Sequence, residues 1–174
     1  MSGSFWILRD VIACSGCRRC EIACSLHHEG WIWPEASRIR VFMPFPGLEV
    51  PHLCAQCDDY PCIKSCPVGA LSIDKNTKAV VVDQEKCTSC GNCIEACPGN
   101  VPFLHPKHNK AVICDLCSGD PECVKACQEG GFNALHLVSD SRMEIHKKLF
   151  ARDPLEVAKD IAINLFGEKG EEVV

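Results

Sequence analysis

The chain has 174 residues, of which sixteen are cysteine, and its 18 basic against 23 acidic side chains give a formal net charge of −5. This charge gives no support to nucleic-acid binding, and the apolar stretches, such as AVVV at 79–82, are far shorter than the roughly 20 residues of a transmembrane helix. Because the N-terminus also has no secretory signal pattern, we expect a cytoplasmic protein of a reducing compartment, where dense cysteines indicate metal binding.

Short alternating and β-branched stretches predict five strands, at residues 5–8, 37–43, 70–73, 79–82 and 133–138. The third and fourth of these enclose the polar turn DKNTK and predict a hairpin. The first and last strands are expected to pair with each other, which would bring the two ends of the cysteine-rich region together. The basic stretch HPKHNK at 105–110 is interpreted as a solvated loop.

The sequence DPLEVAKDIAINLF, from Asp153 to Phe166, predicts an amphipathic helix. Asp153 is the expected N-cap, proline occupies the first helical position, and the helix is expected to end before Gly167. The predicted apolar face consists of Leu155, Ala158, Ile161, Ala162 and Leu165. This face packs either on its own domain or on a partner subunit, and the sequence leaves both open.

The sixteen cysteines form four groups of four, which is an internal repeat. Groups one and three have the spacing C-x2-C-x2-C-x3-C, and groups two and four differ only in a longer middle gap. The constant last interval predicts that the final two cysteines of each group lie on one helical turn, in short helices at EIAC, IKSC, IEAC and VKAC. The groups are Cys14, Cys17, Cys20 and Cys24; Cys54, Cys57, Cys62 and Cys66; Cys87, Cys90, Cys93 and Cys97; Cys114, Cys117, Cys123 and Cys127.

Three kinds of cysteine chemistry compete, and the spacing favours iron–sulfur clusters. Disulfides are disfavoured because three cysteines within seven residues cannot all reach distant partners. Zinc sites use two C-x2-C knuckles about 12 to 20 residues apart, which is not the spacing of these groups. In C-x2-C-x2-C-x3-C-P runs of two-cluster ferredoxins, by contrast, the fourth cysteine ligates the other cluster. Cys66 and Cys97 keep the following proline, whereas Cys24 and Cys127 do not.

From Ile7 to Val138 the chain resembles the four-cluster, ferredoxin-like electron-transfer subunits of multi-subunit oxidoreductases. The resemblance implies an α+β fold of tandem bacterial ferredoxin-like, pseudo-symmetric dicluster units. It implies an electron-transfer domain over 1–140, with the outer cluster pair from 5–30 and 108–138 and the inner pair from 50–104. A C-terminal helical tail would then occupy 141–174.

The resemblance also implies four 4Fe–4S clusters whose fourth ligands are exchanged between groups one and four and between groups two and three. The four implied ligand sets are Cys14, Cys17, Cys20 and Cys127; Cys114, Cys117, Cys123 and Cys24; Cys54, Cys57, Cys62 and Cys97; Cys87, Cys90, Cys93 and Cys66. With cysteine at every iron, His27 and His28 are expected to have surface or hydrogen-bonding roles.

A cluster held by four thiolates has no open coordination site, so the chain is expected to move electrons without catalysing a reaction itself. The sequence has no G-x-G-x-x-G or P-loop pattern and so shows no sign of a nucleotide site. We therefore expect substrate chemistry to take place in another subunit. The stretch at 14–41 looks most like the small subunits that accompany tungsten aldehyde oxidoreductase-family proteins, including class II benzoyl-CoA reductase. The implied partners are a tungsten-pterin or molybdenum-pterin catalytic subunit and an external electron donor or acceptor protein. A subunit of a hydrogenase, formate dehydrogenase or CO dehydrogenase, and a free polyferredoxin carrier, are the alternatives.

Overall fold

The computed structural model describes residues 5–139 and 144–172, which form short helices and two-stranded antiparallel sheets. This is the α+β, ferredoxin-like fold that the sequence predicts. The strands are β1 (Trp6–Arg9), β2 (Arg40–Phe45), β3 (Leu48–His52), β4 (Leu71–Ile73), β5 (Val80–Val82), β6 (Phe103–Leu104), β7 (Ala111–Val112) and β8 (Leu135–Val138). The α-helices are α1 (Arg19–Glu29), α2 (Pro61–Lys64), α3 (Asn92–Glu95), α4 (Glu122–Glu129), α5 (Glu144–Leu149) and α6 (Pro154–Phe166), and 3-10 turns lie at Pro34–Ala36, Leu116–Gly119 and Gly167–Glu172.

The strands pair in four antiparallel ladders, β1 with β8, β2 with β3, β4 with β5 and β6 with β7. The predicted β4–β5 hairpin is confirmed, and Asp74 closes its turn by accepting hydrogen bonds from the backbone N–H groups of Asn76 and Thr77. The predicted pairing of the first and last strands is also confirmed, with Trp6 opposite Val138. The β1–β8 ladder therefore closes the cysteine-rich region into one unit.

The predicted helices at the cysteine groups form, but two of them are shorter than expected. α1 and α4 extend past the final cysteines Cys24 and Cys127. α2 and α3 instead end at Lys64 and Glu95, before Cys66 and Cys97. The reason is the proline that follows each of the latter two cysteines, because a residue that precedes proline is disfavoured in the helical region.

The tail helix α6 packs on its own domain. Asp153 caps it by accepting a hydrogen bond from the backbone N–H of Leu155 (2.9 Å), and Gly167 follows its last residue, as the sequence predicts. Val157 and Ala158 form a small core with Leu48 and Val50 of β3. The predicted face is therefore wrong in part, because Leu155 and Leu165 are more than half exposed while Val157 is buried.

Two further predictions on local structure need correction. The predicted strand at 37–43 begins only at Arg40, and its partner β3 was not expected. The loop at 105–110 is not uniformly solvated, since His105 is only 2% exposed. The His105 ring stacks on His108 with 3.8 Å between ring centroids and meets the edge of Trp33.

Four cysteine-lined cavities as a candidate metal centre

All sixteen cysteines are free thiols, and they line four cavities that are partly open to solvent. Each cavity takes three cysteines from one group and a fourth from another group. Cavity A is lined by Cys14, Cys17, Cys20 and Cys127, cavity B by Cys24, Cys114, Cys117 and Cys123, cavity C by Cys54, Cys57, Cys62 and Cys97, and cavity D by Cys66, Cys87, Cys90 and Cys93. These are the four sets implied by the sequence resemblance, although their role as ligands stays a prediction.

A left-handed residue recurs at the same place in all four cysteine loops. It lies two positions after the first cysteine, at Gly16 (φ 69°), Gln56 (φ 53°), Ser89 (φ 61°) and Leu116 (φ 58°). Such turns direct successive backbone N–H groups into a concavity, and concavities of this kind hold anions and iron–sulfur centres. A Cβ atom at Gly16 would lie 2.7 Å from Glu49 Cγ, so a larger residue there would displace the Glu49 side chain.

Backbone N–H groups donate hydrogen bonds to the sulfur of the final cysteine in every group. The donors are Arg38 to Cys24 (3.3 Å), Ala70 to Cys66 (3.3 Å), Val101 to Cys97 (3.5 Å) and Ala134 to Cys127 (3.3 Å). Hydrogen bonds to ligand sulfurs favour the thiolate and tune the reduction potential of iron–sulfur centres. The folded chain therefore provides a backbone donor to the final sulfur of each group.

Burial acts on the thiols in the opposite direction. It raises the pKa of Cys20 and of Cys54 to about 12, and the pKa of Cys62 to about 11. Metals are bound by the thiolate, and a coordinated metal deprotonates a thiol outright. Four soft sulfur donors around each cavity thus fit a metal centre, which supplies the positive charge that buried thiolates need.

The spacing of the sulfurs distinguishes a cluster from a single metal ion. Among residues 5–139 and 144–172, the one place where three ligand atoms all lie within 4.8 Å of one another is formed by His27, His28 and Cys117. Any three sulfurs within one cavity therefore include a pair that is farther apart than this. Thiolates at about 2.3 Å from one zinc ion are only about 3.8 Å apart, so the cavities fit a multi-iron cluster better than zinc.

The cavities follow one another in the order A, B, C, D. Helix α1 carries Cys20 of cavity A and Cys24 of cavity B, one helical turn apart. In the same way, Cys62 of cavity C and Cys66 of cavity D are separated by a single turn of chain.

The two central cavities are joined by a buried glutamine. Gln56 Nε2 donates to the carbonyl oxygen of Cys114 (2.8 Å), and Gln56 Oε1 accepts from the backbone N–H of Val80 (3.1 Å). Gln56 lies in the loop of cavity C and Cys114 lines cavity B, so this side chain holds the two loops against each other. Cys17 of cavity A and Cys90 of cavity D are the exposed thiols at the two ends of the row.

His28 lies beside a cavity, in agreement with the hydrogen-bonding role expected of it. Its Nε2 is 3.7 Å from Cys117 Sγ and 3.5 Å from Asp115 Oδ1. Burial and then the positive charge of Arg38 lower the pKa of His28 to about 4, which favours the neutral ring. His27 is exposed.

Sequence reasoning missed two side chains that belong to this region. Gln56 had no distinguishing signal, because a single glutamine between cysteines is unremarkable. Arg9 had one, since it is a basic residue directly after the apolar run FWIL, and the structure buries it. No helix within residues 5–139 and 144–172 has the length and apolar character needed to cross a membrane.

Comparison with known proteins agrees with the cysteine pattern. The family described as 4Fe–4S dicluster domain matches residues 47–137, just over half of the chain. The polyferredoxin-like subunit of an aliphatic sulfonate oxidoreductase from Pyrococcus furiosus is 56% identical over 163 residues, 94% of either chain. The electron transport protein HydN of Escherichia coli is 32% identical over 164 residues, covering 80% of this chain and 90% of HydN.

More distant relatives include the iron–sulfur subunit of formate dehydrogenase-O of Escherichia coli, which is 29% identical over 164 residues. That match covers 79% of this chain and 54% of the relative. Among solved structures, a chain of the active-site complex BamBC of benzoyl-coenzyme A reductase is 27% identical, with a TM-score of 0.45 and coverage of 95% of this chain and 92% of that chain.

Proposed function

We propose a function on the premise that the chain belongs to the 4Fe–4S dicluster family and is an iron–sulfur electron-transfer subunit of an oxidoreductase complex. In this proposal the chain relays single electrons through four 4Fe–4S clusters. The observation that carries the proposal is the set of four cavities, each lined by four cysteines. The chain itself is non-catalytic, which agrees with relatives that are named a polyferredoxin-like subunit and an electron transport protein. It would connect a catalytic subunit with an external redox protein.

The proposed ligands are the four cysteines of each cavity, so that each cluster takes its fourth thiolate from another cysteine group. A cluster bound by four thiolates exchanges one electron and leaves no coordination position for a substrate. The protein's part is to hold the thiolates in place and to donate backbone hydrogen bonds to their sulfurs. The left-handed turns and the four N–H donors described above support this role.

The order of the cavities defines the proposed path. Electrons would enter or leave at cavity A, beside Cys17, and at cavity D, beside Cys90, because these are the exposed thiols. Cavities B and C would serve as internal stations, held together by Gln56. A protein that docks at either end thus needs no rearrangement of the chain to reach a cluster.

The proposed catalytic partner is a tungsten-pterin subunit of the aldehyde oxidoreductase family. The stretch at 14–41 resembles subunits that accompany such enzymes, and the Pyrococcus relative is named as part of an aliphatic sulfonate oxidoreductase. An aliphatic sulfonate is therefore the first substrate class to test, with aldehydes and benzoyl-CoA as the next. We further propose that the complex is cytoplasmic.

The experiment is metal analysis of the native complex, purified anaerobically through a tag on this chain. We expect about sixteen iron atoms per chain, together with tungsten and a large co-purifying subunit. About eight irons would overturn the four-cluster proposal, and molybdenum or nickel would assign the chain to another enzyme. Iron alone, with no second chain, would favour a free polyferredoxin carrier.

A further inference from the structure

Arg9 is a buried charge at the end of strand β1, and it is only 3% exposed. Its Nη1 donates to the carbonyl oxygen of Phe150 (3.1 Å), and its guanidinium carbon lies 4.9 Å from the centroid of the Phe150 ring. The other two guanidinium nitrogens, Nε and Nη2, are buried and have no hydrogen-bond partner among the described residues.

A buried cation of this kind is unfavourable unless a negative charge compensates it. Within residues 5–139 and 144–172, the ion pairs do not include Arg9. Arg9 lies on the same face of β1 as Ile7, which packs in the buried core that contains Cys54 and Cys114. Thiolates at Cys54, Cys114 and Cys57 would favour the charge of the guanidinium. Burial lowers the pKa of Arg9 to about 10, so it still carries its charge at neutral pH.

These sulfurs belong to two cavities. Cys54 and Cys57 line cavity C, and Cys114 lines cavity B. The carbonyl oxygen of Phe150, which accepts from Arg9, belongs to the residue before Ala151 of the cavity C lining. Arg9 is therefore within electrostatic reach of both central cavities of the proposed path. Arg18, which lines cavity A, has a side chain that is 57% exposed, so solvent screens its charge.

We propose that Arg9 is a fixed counter-charge shared by cavities B and C, which stabilises the reduced state of the clusters bound there and raises their reduction potentials. This inference rests on the proposed function. An added electron increases the negative charge of a cluster, and a low-dielectric surrounding penalises that increase most where burial is deepest. Arg9 offsets this penalty at cavities B and C. Electron transfer between cavities A and D therefore meets no energetic barrier at the two central cavities.

The expected size follows from Coulomb's law. A unit charge about 10 Å away, in a medium with an effective dielectric constant of about 20, changes a one-electron equilibrium constant by roughly tenfold. A tenfold change corresponds to about 59 mV for one electron. Because Arg9 lies near both cavities, we expect two of the four midpoint potentials to depend on it.

The test compares Arg9→Met with Arg9→Lys in the iron-loaded protein, by redox titration followed with electron paramagnetic resonance. Arg9→Met, which removes the charge and keeps the length, should lower two midpoint potentials by about 59 mV. Arg9→Lys keeps the charge and should restore most of the shift. Arg40→Met is the matched control, because Arg40 is exposed and its removal changes the net charge equally. It should leave all potentials unchanged.

Unchanged potentials in an iron-replete Arg9→Met protein would overturn the inference, and so would equal shifts in Arg9→Met and Arg9→Lys, which would indicate a purely structural role. If Arg9→Met loses iron, selective loss of two clusters with full retention in Arg9→Lys supports the counter-charge. Loss in both variants contradicts it. Failure of the proposed function is distinguishable, because the wild-type protein would then hold about eight irons or fewer.

Discussion

The exchange of fourth ligands is tested most directly by replacing Cys66 with alanine. Cys66 follows Cys62 in sequence but lines cavity D, with Cys87, Cys90 and Cys93. Removal of one ligand should therefore disturb the cluster of a group that begins about twenty residues later. The cluster of its own group, in cavity C, should remain.

The expected loss of iron in Cys66→Ala follows from the residues that line each cavity. Complete loss of one cluster lowers the iron content from about sixteen to about twelve atoms per chain, and conversion to a three-iron cluster lowers it by about one. With complete loss, three thiols become free, those of Cys87, Cys90 and Cys93. Cys90 is already exposed and should react first.

The assay is anaerobic alkylation of the native protein followed by peptide mass spectrometry, with iron measured in parallel. Cys97→Ala is the reciprocal variant and should free Cys54, Cys57 and Cys62, which share cavity C with it. Ser65→Ala serves as a control beside Cys66 and should leave the iron content unchanged. Alkylation of Cys54, Cys57 and Cys62 in Cys66→Ala would refute the reasoning, because each group would then close on itself.

Three further predictions concern the tail helix and His28. Asp153→Ala removes the N-cap of α6 and should lower the free energy of unfolding by about 1 kcal/mol, measured by denaturant titration; an unchanged midpoint would contradict the cap. Val157→Ala should lower the free energy of unfolding by about 2 kcal/mol because the Val157 side chain is buried. Leu155→Ala should lower it by about 0.5 kcal/mol or less. The opposite ranking would show that the helix face with Leu155 is the packed one. In the tautomer with its proton on Nε2, His28 donates a hydrogen bond to Cys117 Sγ. His28→Phe removes this donor and should lower one midpoint potential by about 40 mV with iron retained. Loss of iron in His28→Phe would instead indicate that His28 is a ligand.

The cysteine spacing is a local property, and its chemistry was readable from the sequence. Four groups with an unvaried x3 interval disfavour disulfides and zinc knuckles because of their spacing. The same holds for the β4–β5 hairpin and for both ends of α6, because turn residues, an N-cap aspartate and a following glycine act on their immediate neighbours.

Helix length was also encoded locally, although the prediction overlooked the signal. Pro67 and Pro98 end the helices of groups two and three before the final cysteine. Groups one and four have no such proline, and their helices continue past Cys24 and Cys127. The rule for residues that precede proline accounts for both outcomes.

Contacts between distant segments decided the rest. Leu155 and Val157 are both apolar, and which of them is buried depends on where β3 lies against α6. His105 is buried because Trp33 packs against its ring and Glu29 lies 3.1 Å from its Nε2, and both belong to a segment more than seventy residues earlier. The sequence alone therefore determined the four cysteine groups and the local elements, whereas only the tertiary structure buried Arg9 beside the core that contains Cys54 and Cys114. The physical reason is that spacing and capping act over a few residues, while burial and electrostatic fields depend on every segment that the fold brings near.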